Sequence, residues 1–269
     1  MSKGVVAAFT FILLASACGP DPTPLPIDLP PPTSTPAAAA EIRTYTLAIE
    51  ARLLPLIPEV DLRAATRSSE VVRVETAAAL DLETSATVDL LVGLGDFPGS
   101  TRTALAIPLW LAVNSEIAPL DQDVIAARLY EVLNTIDLRE ALPGAAQTGL
   151  MAAVDPFQIR SDLANSGLPD GFALSLVDFN APGADAIAEA LQRYGIDVRI
   201  APRRDGTAYS DGALILFIDV QNHAQMTQRF GNTAIAELAR LPVSYRAAPG
   251  VTIALTENGW PLLIDEIPD

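Results

Sequence analysis

Few side chains in this sequence could act as general acids, bases or nucleophiles. His223 is the only histidine and follows Asp219 by four residues, so a carboxylate could orient its imidazole for proton transfer. The sequence has no Gly-x-Ser-x-Gly nucleophile motif, and the first turn of a helix disfavours a protonated imidazole. We therefore interpret His223 as a solvated residue beside an Asn222 helix cap, not as a catalytic base.

Pairs of acidic residues are the second kind of candidate. Two carboxylates at a suitable separation hydrolyse glycosides, and oxygen-rich loops bind calcium. The acid pairs are Asp81 with Glu83, Asp121 with Asp123, and Asp265 with Glu266. The Asp-Gly steps at Asp205 and Asp211 match no calcium-loop spacing. We interpret these acids as solvated faces and helix starts, and predict no catalytic residue, no metal site and no cofactor.

Arginine pairs and tryptophans could also contact a ligand. Arg203 and Arg204 could hold a carboxylate or phosphate, and Trp110 and Trp260 could form a sugar platform. We interpret the arginines as turn residues. The tryptophans are predicted to pack in the core and against a hairpin.

The only cysteine, Cys18, ends a segment with the layout of a secretory signal. One cation, Lys3, precedes an apolar run over residues 5–14, and small residues occupy positions 15–17. The apolar run is too short to cross a bilayer as a helix, so the layout predicts an export signal. With no other cysteine in the chain, the folded part is predicted to have neither disulfides nor thiolate zinc sites.

The sequence Leu14-Ala15-Ser16-Ala17-Cys18-Gly19 resembles the lipobox of bacterial lipoproteins. The resemblance implies that residues 1–17 are a signal peptide, that Cys18 is lipidated, and that the protein is extracytoplasmic and anchored by this lipid to a bacterial cell membrane. The family usually has leucine three residues before the cysteine, where this sequence has Ala15. A thiolate is the nucleophile that can carry a thioether lipid. The alternative is an ordinary cleaved signal followed by an incidental cysteine.

Composition limits the partners. Residues 18–36 hold eight prolines and are predicted to be a lipidated cysteine followed by a stiff, Pro-rich tether. Acidic residues outnumber basic ones 33 to 17, which argues against nucleic acid and against a body lying flat on an anionic membrane.

The body is predicted to be α+β, with an α+β domain over residues 37–167. Apolar residues recur at helical spacing from Ile42 to Leu56, which predicts a first helix. Apolar residues then alternate over 72–94, which predicts a long antiparallel strand with one buried face and a turn near Thr84 and Ser85.

The same domain is predicted to contain one more strand and two more helices. The strand covers 103–113, with Pro108 at an edge or bulge. Acidic first turns and apolar stripes predict helices over 121–136 and 155–165.

Residues 168–269 are predicted to form a ferredoxin-like βαββαβ sandwich. Strands are predicted over 172–177, 196–200, 213–220 and 243–247, with helices over 186–194 and 226–241, the latter bent near Gly231. A C-terminal hairpin is predicted around Asn258-Gly259.

The second domain also resembles a known family. The strand that begins at Phe172, the helix that ends at Tyr194 and the sequence Gly195-Ile196-Asp197-Val198 are similar to sporulation-related repeat domains, over residues 170–250. The resemblance implies binding of peptidoglycan. The ends of the first and third strands depart from that family, so it assigns no binding residues.

These observations predict a non-enzymatic lipoprotein with a binding or scaffolding role at the cell envelope. Its candidate partners are the membrane, through lipid on Cys18, and envelope proteins, peptidoglycan or an apolar ligand. Two alternatives remain. One is a carrier of an apolar ligand or lipid, which the one-faced strand over 72–94 favours; the other is a carboxylate-dependent hydrolase, which needs two of the named acids in one cleft.

Overall fold

A large mixed β-sheet forms the body of the protein. The structure, a computed structural model, describes residues 45–65, 69–75, 77, 88–148, 154–202, 212–230 and 233–263. All of them lie in the compact unit Arg43–Asp269. The combination of this sheet with separate helices confirms the predicted α+β class.

The strands are β1 (Tyr45–Glu50), β2 (Ser69–Val74), β3 (Leu90–Leu94), β4 (Thr101–Val113), β5 (Ala146–Gln147), β6 (Phe172–Asp178), β7 (Ile196–Pro202), β8 (Leu214–Ile218), β9 (Ala234–Ala247), β10 (Ala254–Leu255) and β11 (Pro261–Leu262). The helices are α1 (Glu59–Ala65), α2 (Asp123–Leu133), α3 (Pro156–Asn165), α4 (Ala184–Gln192) and α5 (His223–Phe230), and Leu54–Leu56 form a 3₁₀ turn.

The order of the strands reveals a topological repeat. The main sheet runs β2-β1-β3-β9-β4-β8-β6-β7, with β5 beside β9. The order is unchanged if it is reversed and β1, β2, β3 and β4 are exchanged with β6, β7, β8 and β9. Each half places its first strand between two parallel neighbours, β2 and β3 in one half, β7 and β8 in the other. The two halves therefore have the same strand topology and exchange their fourth strands at the centre.

A local two-fold axis passes between the central strands β4 and β9. Ile107 pairs with Leu241, and on either side Ala106 pairs with Pro242 and Pro108 pairs with Arg240. Pro108 and Pro242 are therefore equivalent positions in the two halves. The predicted bulge near Pro108 is confirmed, because the register shifts between Leu109 and Trp110, although β4 is a central strand and not an edge.

The main core lies on one face of the sheet. Alternate residues of the central strands, such as Ile107, Leu109 and Leu111, are fully buried there against apolar residues of α2, α3 and α4. The predicted helices α2 and α3 are confirmed, and Asp155 caps α3 by accepting a hydrogen bond from the Phe157 amide at 2.9 Å. The predicted C-terminal hairpin is also confirmed by the β10–β11 pair.

The predicted first helix is wrong over the described residues. Residues Tyr45–Glu50 form a strand, and its last four residues are all buried between β2 and β3. A strand buried on both faces is apolar at most positions, so its residues can match a helical spacing by chance.

The predicted helix over 226–241 is wrong in its second half. Helix α5 ends at Phe230, and β9 begins at Ala234. This segment is rich in helix-forming residues, but it pairs with β3 on one side and β4 on the other, and this pairing overrides local propensity.

The predicted long strand over 72–94 is two strands that do not pair with each other. β2 and β3 lie on opposite sides of β1, both parallel to it. Leu90, Leu91 and Val92 are all buried, so β3 has no exposed face. The turn predicted near Thr84 and Ser85 lies outside the described residues.

The ferredoxin-like description is not confirmed. In that fold another strand separates the two strands of a βαβ unit. Here β7 lies directly beside β6, parallel to it, and the fourth strand, β9, is separated from β8 by β4. The main sheet contains strands from both sides of the predicted boundary at residue 167. The division into domains 37–167 and 168–269 stays a prediction.

Candidate functional site

A charged cavity lies at the carboxyl ends of three strands, β1, β2 and β6. Arg52 follows β1, Arg73 and Glu75 lie at the end of β2, and Asp178 and Asn180 lie at the end of β6, and all of them line one cavity of about 300 Å³. β1 and β6 run in opposite directions in the sheet, so the sheet must curl strongly for their carboxyl ends to meet.

The position of this cavity is typical of a binding site. In sheets with parallel strands, ligands bind beyond the carboxyl ends, where the chain leaves neighbouring strands in opposite directions. β1 and β6 are both such strands, because each has its two parallel partners on opposite sides. The cavity thus combines the two equivalent switch points of the topological repeat.

The loop after β6 is held by Asp178. Its Oδ1 accepts a hydrogen bond from the Ala181 amide at 2.7 Å, which closes a tight turn. Asn180 within this turn has a φ of 59°, and no other non-glycine residue in the described ranges has a positive φ. Asparagine tolerates this left-handed conformation better than most residues, and such conformations are concentrated at functional sites.

The side of the cavity formed by β1 depends on a buried ion pair. Glu50 is only 3% exposed, and its Oε1 forms an ion pair with Arg52 Nε at 2.8 Å. Its Oε2 accepts a hydrogen bond from the Leu94 amide at 2.9 Å. Glu50 therefore fixes the orientation of Arg52 at the cavity.

A glycine in β3 makes room for this pair. A Cβ atom on Gly93 would lie 2.2 Å from the Ala77 Cβ atom and 2.9 Å from Glu50 Oε2. Both distances are too short for any side chain at this position. Gly93 is therefore required by the close approach of Ala77 and Glu50.

Burial shifts the pKa of two acids at the site, Glu50 and Asp178. Burial raises the pKa of Glu50, and hydrogen bonds and the Arg52 charge offset this only in part. Burial likewise raises the pKa of Asp178, against the smaller lowering effects of the Ala181 amide and the Arg52 charge. Perturbed carboxylates beside a cavity are a recognised sign of a functional site.

The lining residues suit ionic recognition of a small polar molecule. Two guanidinium groups can bind a carboxylate or phosphate, and two carboxylates can bind an ammonium group. The volume is at the lower end of the range for small-molecule sites. No cluster of three or more metal-ligating side chains occurs within the described ranges.

The environment of His223 is that of an exposed helix start. It is exposed at the start of α5, where Asn222 and Gln225 exchange hydrogen bonds as a helix cap. Asp219 instead accepts hydrogen bonds from the Gln221 amide and from Arg229 Nη1. The predicted solvated position beside the Asn222 cap is confirmed.

Four of the other candidate residues lie within the described ranges. Trp110 and Trp260 are buried, as predicted, and Asp121 and Asp123 are exposed at the start of α2. Asp81, Glu83, Arg203, Arg204, Asp205, Asp211, Asp265 and Glu266 lie outside the described residues.

Cys18 and the rest of residues 1–44 also lie outside the described residues, and the signal peptide, the tether and lipidation stay predictions. Among the helices that the structure describes, none is long and apolar enough to span a membrane.

Sequence reasoning missed every residue of the charged cavity. Arg52, Arg73 and Asp178 come from segments far apart in the chain and belong to no motif. The only local signal was the polar residue at the end of an apolar strand, Asp178 after Leu174–Val177.

No protein-family model matches the sequence, and no curated protein matches it. Solved structures with some likeness are binding proteins. A substrate binding protein from Microbacterium hydrocarbonoxydans complexed with 4-hydroxybenzoate hydrazide is 14% identical, with a TM-score of 0.49, over 72% of this chain and 58% of that chain. A dipeptide binding protein from Pseudoalteromonas sp. SM9913 in complex with Met-Leu is 12% identical, with a TM-score of 0.48, over 73% and 57%.

The periplasmic binding protein DppA of Helicobacter pylori, in complex with the peptide STSA, is 14% identical, with a TM-score of 0.46, over 73% of this chain and 57% of that chain. This chain therefore spans less than two thirds of the length of each of these proteins. All three are described as binding proteins.

The resemblance of residues 170–250 to sporulation-related repeat domains is wrong. The solved structures with some likeness are substrate-binding proteins and not such repeats. The parallel β7-β6-β8 arrangement also differs from the sandwich that the resemblance implied.

Proposed function

We propose that this protein is an extracytoplasmic, lipid-anchored binding protein that holds a small polar solute in the charged cavity. The observation that carries the solute site is the meeting of Arg52, Arg73 and Asp178 in one cavity at the carboxyl ends of parallel strands. A charged lining favours a polar ligand over the apolar ligand considered from the sequence.

The location and the anchor are supported by the sequence alone. The signal layout of residues 1–17 directs export, and the sole cysteine at position 18 offers the thiolate that lipidation needs. Two or three acyl chains hold a protein stably at a membrane, whereas one binds only marginally.

Lipidation is tested with labelled fatty acid in a bacterial host that processes lipoproteins. The wild-type chain should incorporate label and sediment with membranes, and Cys18→Ser should do neither. Equal membrane association of the two chains would contradict the anchor.

The solute site is tested by thermal unfolding in the presence of a panel of amino acids, sugars, organic acids and amines. At least one compound should raise the melting temperature of the wild type, because a ligand that binds only the folded state stabilises it. The same compound should act weakly on Arg52→Gln and fully on Arg139→Gln, a matched change at an exposed residue paired with Asp137. A panel without effect on the wild type, or an equal effect on Arg52→Gln, would contradict the proposal.

A further inference from the structure

The two halves of the topological repeat contribute opposite net charges to the cavity. Arg52, Arg73 and Glu75 come from the first half and sum to one positive charge, and Asp178 from the second half is negative. The lining therefore has a side that is positive overall and a side that is negative.

The charged groups on the two sides differ in whether they already have a partner within the protein. Arg52 is paired with the buried Glu50. Arg73 is exposed and forms no ion pair with any residue that the structure describes. Asp178 uses Oδ1 for the turn of its own loop, which leaves Oδ2 without a hydrogen bond to the described residues. Arg73 and Asp178 Oδ2 are thus the groups available to a ligand.

The net charge of the lining limits the ligand further. Arg52, Arg73, Glu75 and Asp178 sum to zero at neutral pH if each bears its usual charge. A lining with no net charge but with separate positive and negative groups is complementary to a ligand that also has no net charge and carries one positive and one negative group. A ligand with one charge would leave the opposite side of the cavity desolvated and unpaired.

We infer that the solute is a small zwitterion, bound with its carboxylate towards Arg73 and Arg52 and its ammonium group towards Asp178. This inference rests on the proposed solute site and adds the class and orientation of the ligand. The cavity volume of about 300 Å³ accommodates a molecule of amino-acid size.

Calorimetric titration with four matched probes tests the inference. The probes are 2-aminobutyrate and 4-aminobutyrate, which have both charges, and butyrate and butylammonium, which share the carbon chain but have one charge each. At least one aminobutyrate should bind the wild type about tenfold more tightly than either singly charged probe.

Two variants test the orientation. Arg73→Gln should weaken the aminobutyrate about tenfold and leave butylammonium unchanged, and Asp178→Asn should weaken it similarly and leave butyrate unchanged. Asn keeps the oxygen that accepts from Ala181, so the loop should stay folded. Arg139→Gln and Asp197→Asn, at exposed residues outside the cavity, should change nothing.

The outcomes separate this inference from the proposed function. The inference is overturned if a singly charged probe binds the wild type as tightly as the aminobutyrates. It is also overturned if Arg73→Gln weakens butylammonium or if Asp178→Asn weakens butyrate. If none of the four probes binds but a sugar or organic acid of the thermal panel does, the inference fails and the solute site stands. If nothing binds, both fail.

Discussion

The two halves of the sheet have the same topology but different contents at equivalent positions. Ile49 pairs with Val92 in the first half, and Asp178 pairs with Leu216 in the second. The two-fold axis makes Val92 equivalent to Leu216, and Ile49 is therefore equivalent to Asp178. The residues that follow are also equivalent: Glu50 corresponds to Phe179, and Gly93 corresponds to Phe217.

These equivalent pairs create opposite environments. In the first half, Glu50 occupies the space that Gly93 leaves, and it holds Arg52 at the cavity. In the second half, Phe179 and Phe217 belong to an apolar cluster with Phe230 of α5, whose ring lies 5.1 Å from that of Phe217. One half thus uses these positions to orient a charge, and the other uses them to attach a helix. A repeated topology can therefore use equivalent positions to orient a charge in one half and to attach a helix in the other.

The largest expected effect is the loss of the aromatic contact in the second half. Phe217→Ala would leave a cavity between β8 and α5, and such truncations cost about 3–5 kcal/mol. Urea unfolding would measure this. Binding of the solute should change little once the protein is folded, because Phe217 is not among the residues that line the cavity. A cost below about 1 kcal/mol would show that α5 does not depend on this cluster.

A smaller loss of stability is expected from the equivalent position in the first half. Gly93→Ala would place a Cβ atom 2.2 Å from that of Ala77, and overpacking of this kind costs about 1–3 kcal/mol. It should also weaken solute binding, since Glu50 would be displaced.

The double variant Gly93→Ala with Ala77→Gly is the control for this prediction. Removal of the Ala77 Cβ atom should recover part of the lost free energy of unfolding. If the double variant is no more stable than Gly93→Ala, the contact with Ala77 does not explain the need for glycine.

The buried acid of the first half should make stability depend on pH. Burial raises the pKa of Glu50 above its usual 4.5, so the folded state keeps this proton to higher pH than the unfolded state. This contribution to stability is complete below pH 4.5 and is lost as the pH rises through the raised pKa. The free energy of unfolding of the wild type minus that of Glu50→Gln should therefore fall as the pH rises above 4.5.

Asp137→Asn is a control with the opposite sign. The Arg139 guanidinium lowers the pKa of Asp137 to about 2. The contribution of Asp137 to folding stability is therefore present above pH 3.8 and is lost as the pH falls towards 2. A difference for Glu50→Gln that stays constant across the pH range would show that this carboxyl is not buried as described.

The smallest effect is expected in the loop after β6. Asn180→Ala should cost about 1 kcal/mol because alanine disfavours the left-handed conformation, whereas Asn180→Gly should be close to neutral. Thermal unfolding of both variants measures the difference. Equal stability of the two would mean that the backbone at Asn180 is not held at positive φ.

The sequence predicted the elements whose patterns are local. Helix α3 has its Asp155 cap and Pro156 start, and α2 has an apolar stripe at regular spacing, so both were found. β1 and the first part of β9 were assigned as helices because burial on both faces, or pairing with distant strands, determines their structure, whereas residues 243–247 of β9 were predicted as a strand. No local pattern within those segments predicts the strand structure.

The candidate site could not be predicted because the fold creates it. Arg52, Arg73 and Asp178 are brought together only by the curl of a sheet whose strand order is not written in any local motif. The topological repeat is equally hidden, since Ile107-Pro108-Leu109 and Leu241-Pro242-Val243 are a short match across long divergent strands.

The most direct test of the solute site is a crystal structure of the protein with the panel compound that raises its melting temperature most. We expect the compound within hydrogen-bond distance of the side chains of Arg73 and Asp178. The account is contradicted if the compound instead occupies the groove between α4 and residues 135–141, or another surface, and the charged cavity contains only water.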